Sequence, residues 1–117
     1  MKSISSLDIE LDVDKRPRGS ISGDVVRSAL TLAEIGTVKL GVWEVTPGVF
    51  EGHWTGEDWE AFTIISGSGT LTTDDGTVHN LHPGALVVVP PGTHAVWDIK
   101  ETLRKTFVFP QNSADRR

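Results

Sequence analysis

The sequence contains no cysteine among its 117 residues. That absence excludes disulfide bonds, thiolate metal sites and a cysteine nucleophile, and it fits a reducing compartment. No apolar run reaches the roughly 18 residues that a transmembrane helix needs. The start of the chain, MKSISSLDIELDVDK, also lacks the apolar stretch of a signal peptide. We therefore expect a cytoplasmic protein with no membrane partner.

The central part of the chain lacks positive charge. Residues 40–99 contain no lysine or arginine but eight acidic side chains, whereas residues 1–39 are balanced and residues 100–117 carry a net charge of +3. Nucleic-acid binding needs lysine and arginine for phosphate contacts. The distribution therefore argues against a nucleic-acid partner, and the acidic centre favours a cationic, amine or polyhydroxylated small molecule over a phosphorylated one.

Turn signals divide the chain from Gly36 onward into short β-rich segments, and this spacing predicts an all-β sandwich or small barrel. Residues 25–34 are compatible with either a helix or a strand. The continuously apolar run Ala85–Val89 predicts a strand that is buried on both faces. The glycines of residues 67–69 suggest a hairpin. The chain length is that of a single domain.

Two groups of residues have a recognisable spacing. In the first, His53-Trp54-Thr55 is followed after four residues by Glu60, and Gly67 follows six residues later. In the second, five residues separate Gly84 from the sequence Pro90-Pro91-Gly92.

These spacings resemble the two motifs of the cupin superfamily, and the pattern of residues 36–110 resembles its small single-domain branch related to ethanolamine-utilisation and ureidoglycine aminohydrolase cupins. The resemblance implies a cupin-type double-stranded β-helix, or jelly-roll barrel, over residues 36–110. Residues 1–35 would then form an N-terminal extension that packs on or pairs with the barrel, and residues 111–117 a flexible tail. The resemblance, together with the exposed strand edges of an open jelly roll, also implies a homodimer.

Strand alternation predicts which side chains share a face. His53 and Thr55 lie on one face, and Glu60 and Phe62 share another. If Phe62 faces the barrel interior, Glu60 faces inward at the mouth of the barrel. A carboxylate that points inward needs a cation, a hydrogen-bond donor, a metal or a proton. Arg104 and Lys105 alternate on the last strand, so one of them can point inward as a counter-ion for Glu60.

The metal ligands that the resemblance implies are incomplete. Typical cupins offer three histidines and a glutamate, of which this sequence keeps His53 and Glu60. Thr55 stands at the second histidine position and Ala95 at the third. Two strong ligands rarely hold a transition metal, so a pocket without a metal cofactor is favoured. The alternative is a divalent metal on His53, Glu60 and His94, which requires the turn after Gly92 to rotate His94 inward.

The remaining candidates would line a small-molecule pocket. Glu60 and His53 are the candidate catalytic or proton-exchanging residues. The candidate ligand-binding residues are Thr55, Phe62, Trp97, Trp43 and Arg104. The tryptophans have an alternative role in the core, and Trp43 has another in a dimer interface.

The favoured function is a metal-poor cupin with an acidic small-molecule pocket. One alternative is a metal-dependent, manganese-type aminohydrolase or isomerase of the ureidoglycine aminohydrolase kind. Another is a non-catalytic accessory domain whose barrel is packed shut.

Overall fold

The computed structural model describes residues 1–110, and these residues form strands and loops without a helix. The predicted flexible tail, residues 111–117, lies outside the described residues. Within residues 1–110, no helix is long and apolar enough to cross a membrane. The strands are β1 (Asp12–Val13), β2 (Arg27–Ile35), β3 (Val38–Val45), β4 (Gly48–Trp54), β5 (Glu60–Thr73), β6 (Val78–Leu81), β7 (Leu86–Val89) and β8 (Thr93–Pro110).

Two long antiparallel strands, β5 and β8, form the centre of the fold. The second half of β8 pairs with β3 and with the first half of β5, whereas its first half pairs with β4 and with the second half of β5. Strands β1, β2 and β7 extend the first of these two sheets, and β6 extends the second. Two sheets that share bent strands form a jelly-roll barrel. This arrangement confirms the predicted all-β fold.

The bend in β5 lies where the sequence suggested a hairpin. The register between β5 and β8 shifts three times between Ile64 and Gly69, yet β5 continues through this stretch. Gly67 has a φ of +88°, and a Cβ atom there would lie 2.1 Å from the carbonyl oxygen of Thr102. Only glycine fits such a close approach of two strands. The glycines therefore mark a bend within one strand, and the predicted hairpin is wrong.

The first 35 residues contribute strands to the same sheet. Residues 25–34, which were compatible with a helix or a strand, fall largely within β2, and β2 pairs with β3 along its length. The segment before β1 lies over β8, because Arg104 Nη1 donates hydrogen bonds to the carbonyl oxygens of Ser6 at 3.1 Å and Ile9 at 3.0 Å. Arg104 thereby connects the two ends of the fold.

The core follows strand alternation. Inward residues of both sheets pack in a single cluster that includes Phe50, Phe62, Leu71 and Trp97. Strand β7 departs from the prediction of burial on both faces, because Leu86 and Val88 are 73% and 70% exposed. That prediction is wrong: β7 covers the barrel with one face, and its outer face is not covered by any of residues 1–110.

Candidate functional site

A buried ion pair occupies the interior of the barrel. Glu60, the first residue of β5, points inward as alternation predicted, and Lys105 points inward from β8. Each side chain is 1% exposed, and Lys105 Nζ donates to Glu60 Oε2 at 2.7 Å. The indole nitrogen of Trp54 donates to the other carboxylate oxygen at 3.2 Å. Both oxygens of Glu60 are therefore used within the barrel.

Aromatic rings surround the ammonium group of Lys105. Its Nζ lies 4.4 Å from the ring centroid of Trp43, 4.3 Å from that of Phe62 and 4.8 Å from that of Trp97. Ring faces attract a cation at such distances, and the attraction strengthens when water is excluded. Three of the predicted ligand-binding residues therefore enclose Lys105 in the core. A gap beside Lys105, lined by the rings of Trp43, Phe50, Trp54 and Trp97, has a volume of about 10 Å³, which is at the lower limit for one water molecule.

The interior does not offer the donor set of a typical cupin metal site. Phe50, Gly52 and Trp54 point inward from β4, while His53 points outward between the last two. None of the four histidines is buried. The only buried carboxylate on the inner face of β5 is already bonded to Lys105. Among residues 1–110, three or four convergent ligands for a metal are therefore absent from the barrel interior.

Several predicted site residues lie apart from Glu60. His53 is on the outer face of β4, with a side chain that is 53% exposed, and Thr55 is exposed just after that strand. Arg104 points to the opposite face from Lys105 and bonds Glu44 at 3.1 Å. Arg104 therefore lies outside the barrel interior, since strand alternation gives the inward position to Lys105, and its role in ligand binding stays a prediction.

Three outward side chains on β4 and β8 form a second polar group, here called the histidine cluster: Glu51, His53 and His94. His53 and His94 are directly opposite each other in the β4–β8 register, and their ring centroids are 4.6 Å apart. His53 Nε2 lies 3.5 Å from Glu51 Oε2, and His94 Nε2 lies 3.4 Å from Glu51 Oε1. Register alone therefore brings two imidazoles and a carboxylate together.

The ring of His94 is oriented by the turn between β5 and β6. Its Nδ1 lies 2.6 Å from Asp74 Oδ1. The hydrogen bond to Asp74, reinforced by the negative charges of Asp74 and Glu51, raises the pKa of His94 above its usual value. His94 is thus charged over a wider pH range than an ordinary histidine.

Two surface clefts adjoin the histidine cluster, each with a volume of about 470 Å³. The hairpin cleft lies between the β5–β6 turn and the β7–β8 turn. Its apolar floor includes Leu71, Val87 and Val89, and its polar rim includes Asp74, Asp75, Thr77, His79 and His94. Among residues 1–110, no lysine or arginine lines it.

The second cleft, here called the arginine cleft, has three arginines in its lining, Arg16, Arg18 and Arg27. It is lined by residues 16–21 together with Arg27, Glu51 and His53. Arg16 and Arg18 pair with Asp14 and hold its pKa at about 2. Arg27 is 6% exposed, stacks over Phe50 at 4.5 Å, and its Nε has no hydrogen-bond partner among residues 1–110. Burial lowers the pKa of Arg27.

The sequence analysis did not identify Glu51 as a member of the histidine cluster, and it did not identify the contact of Asp74 with His94. Glu51 lies two positions before His53, so alternation could have placed it on the same face. Asp74 reaches His94 from a distant turn, 20 residues earlier in the chain. No local pattern indicates that contact. Lys105 was one of two alternatives for the counter-ion of Glu60.

We predict that replacing Lys105 with methionine destabilises the fold by about 3–5 kcal/mol, because it leaves the carboxylate of Glu60 buried without a counter-ion. Urea denaturation measures the change in unfolding free energy. The double variant Lys105→Met/Glu60→Gln should recover part of the loss. Additive effects of the two substitutions would contradict the coupling of this pair.

We predict that Asp74→Asn lowers the pKa of His94 toward its ordinary value, because the charged hydrogen-bond acceptor is removed. Histidine resonances followed by NMR against pH, with chelator present, measure the shift. Because the pKa of His94 is higher in the folded than in the unfolded protein, its hydrogen bond to Asp74 stabilises the fold fully below the unfolded-state pKa of about 6.5. This stabilisation is lost as the pH rises through the folded-state pKa. Asp98→Asn removes a distant charge and is the control. An unchanged His94 titration in Asp74→Asn would contradict the assignment.

Solved structures share this fold. A protein of unknown function of the DUF861 family from Pseudomonas syringae pv. tomato matches with a TM-score of 0.77 and 23% identity, over 91% of this chain and 46% of that one. This chain therefore spans about half the length of that protein. EutQ from Clostridium difficile has a TM-score of 0.65 and 20% identity, over 76% and 71% of the two chains. The polyketide cyclase RemF from Streptomyces resistomycificus has a TM-score of 0.71 and 21% identity, over 96% and 80%.

At these identities the structural likenesses show the fold alone. No curated protein is significantly similar to the chain in sequence. The sequence model of the EutQ-like cupin domain, however, matches residues 32–107, which is more than half of the chain. That match includes β3 to β7 and most of β8, and with them both members of the buried ion pair. The chain belongs to the EutQ-like cupin domain family.

Proposed function

We propose that this cupin is a small-molecule-binding protein whose ligand occupies the hairpin cleft and not the interior of the barrel. The proposal is supported by the difference in volume between the barrel interior and the hairpin cleft. The interior gap measures about 10 Å³, whereas the hairpin cleft measures about 470 Å³. A volume of a few hundred Å³ is typical of ligand pockets.

The lining of the hairpin cleft supports a ligand with an apolar body and an amine or hydroxyl groups. Leu71 and Val89 provide a floor that belongs to the hydrophobic core. Asp74 and Asp75 provide negative charge at the rim, and hydrogen bonds from Thr73 and Thr77 hold the pKa of Asp75 at about 2. The negative charge of this rim favours a cation over an anion.

The closed interior argues against catalysis inside the barrel. A general acid or base must reach the substrate, but Glu60 is enclosed and bonded to Lys105 and Trp54. The metal-dependent aminohydrolase or isomerase considered from the sequence would need His53 and Glu60 in one site, and these residues lie on opposite faces of the barrel wall. We therefore place the binding chemistry outside the barrel and propose no metal cofactor within it.

We predict that a panel of small amines and polyols contains compounds that raise the melting temperature and bind in calorimetry, because ligands of the native state stabilise it. Thr77→Trp should abolish this binding by filling the cleft. Asp74→Asn should weaken binding of the amines. Phosphorylated analogues should bind less tightly than their parent compounds.

Glu57→Gln is the matched control, because it removes an exposed acidic charge from a residue that does not line the cleft. It should bind like the wild type. Failure of every compound to bind would contradict the proposal. Binding that Thr77→Trp leaves unchanged would place the ligand elsewhere and would equally contradict it.

We also propose that two copies of the chain pair through the outer face of the sheet that contains β7. Residues directly opposite each other across its strands form an apolar row: Ala33, Leu40, Val108, Ala61 and Val88. This row ends at β7, where Val88 and its neighbour Leu86 are the most exposed members of the face. Among residues 1–110, β7 pairs with β5 alone.

An apolar sheet face with an open edge favours association with a second copy. We predict that Leu86→Asp/Val88→Asp is monomeric and folded in light scattering and circular dichroism, while the wild type is dimeric. Val78→Asp introduces a charge at an exposed valine on the other sheet and should leave the dimer intact. A monomeric wild type at micromolar concentration would contradict the proposed pairing.

The cytoplasmic location expected from the sequence stays a prediction.

A further inference from the structure

We propose that the histidine cluster on the outer face of β4 and β8 is a binding site for a divalent transition metal, with Zn²⁺ as the representative ion. The ligands would be Glu51, His53 and His94. This site goes beyond the proposed small-molecule function, because it lies on the outside of the barrel wall and needs no ligand in the hairpin cleft.

The backbone holds the three ligands together. Glu51 and His53 are alternate residues of β4, so both point away from the core. His94 is paired with His53 in the antiparallel register of β4 and β8. Ligands on regular strands are positioned more precisely than ligands on loops. The site therefore requires adjustment of side chains and no change in the fold.

The distances between donor atoms match those around a small metal ion. Glu51 Oε2 and Oε1 lie 3.5 Å and 3.4 Å from Nε2 of His53 and His94 respectively. These separations are longer than the usual N–H···O hydrogen bond of about 2.7–3.2 Å. A tetrahedral ion with ligand bonds of about 2.0–2.1 Å separates its donor atoms by about 3.3 Å. All three donor atoms lie within 4.8 Å of one another, so small side-chain rotations bring them onto one ion.

Asp74 supplies the support that a metal-bound histidine normally has. Its carboxylate lies 2.6 Å from Nδ1 of His94. That contact assigns the proton to Nδ1 and directs Nε2 toward Glu51. A carboxylate on the far nitrogen fixes the ring and increases its strength as a ligand. Asp74 would therefore be a positioning residue and not itself a ligand.

The donor set indicates the class of ion. Two imidazoles and a carboxylate suit Zn²⁺, Ni²⁺, Co²⁺ and Cu²⁺, whereas Mg²⁺ and Ca²⁺ prefer oxygen ligands alone. Three protein ligands leave a coordination position for water or for another molecule. The side chains of Glu51 and His53 are about half exposed and that of His94 is 32% exposed, so that position would be accessible from solvent. Glu51 and His53 also line the arginine cleft, and His94 lines the hairpin cleft.

Calorimetric titration of the untagged, chelator-treated protein with Zn²⁺ tests the proposal. We expect one ion per chain, with loss of affinity of at least about tenfold in Glu51→Gln and in His53→Ala, and of about 10–100-fold in Asp74→Asn. Co²⁺ should give the visible absorption of a low-symmetry, four- or five-coordinate site. In NMR spectra, Zn²⁺ should shift the ring resonances of His53 and His94.

His82→Ala is the control, because His82 is exposed and lies outside the cluster. It should bind Zn²⁺ like the wild type. Absence of saturable Zn²⁺ binding would overturn the site. Equal affinity in the wild type, Glu51→Gln and His53→Ala would overturn it as well, with circular dichroism showing that the variants are folded. Since no organic ligand is added, these results are independent of the amine and polyol test of the hairpin cleft.

Discussion

The buried pair of Glu60 and Lys105 determines what the rest of this barrel can do. Burying either charge alone costs several kcal/mol, so the pair requires its close contact, the indole of Trp54 and the surrounding rings. The two residues come from the two strands that form both sheets, β5 and β8. The pair therefore links the two strands that both sheets share. In this pair the carboxylate of Glu60 binds Lys105. In a metal-binding cupin, the glutamate at this position of the motif would be a metal ligand.

Because the interior is closed, the polar groups that could bind a ligand or a metal lie on the outer surface. Outward residues of β4 and β8 form the histidine cluster, and the turns at the ends of β5 and β7 enclose the hairpin cleft. The two regions share His94 and are joined by the contact of Asp74. Three of the eight acidic side chains of residues 40–99, Glu51, Asp74 and Asp75, lie at this side of the molecule.

The fold was predictable because turn residues and strand alternation are local properties. The inward position of Glu60 and Phe62 followed from them directly, as did the presence of one inward cation on β8. The motif spacing was less informative for the site, since it aligned His53 with a ligand position although Gly52 and Trp54 face inward. One residue of register reverses the face of a strand. Contacts between distant turns, such as Asp74 with His94, have no local signal in the sequence.

Hydrogen exchange of the indole N–H of Trp54 measures whether the barrel interior is closed around Glu60. That group donates to Glu60 and belongs to a side chain that is 2% exposed. If the interior is closed, the proton exchanges only through unfolding, and its rate follows the global stability when denaturant is added. Exchange as fast as that of a free indole, with the protein folded, would show that the interior is open to water and that Glu60 is not enclosed.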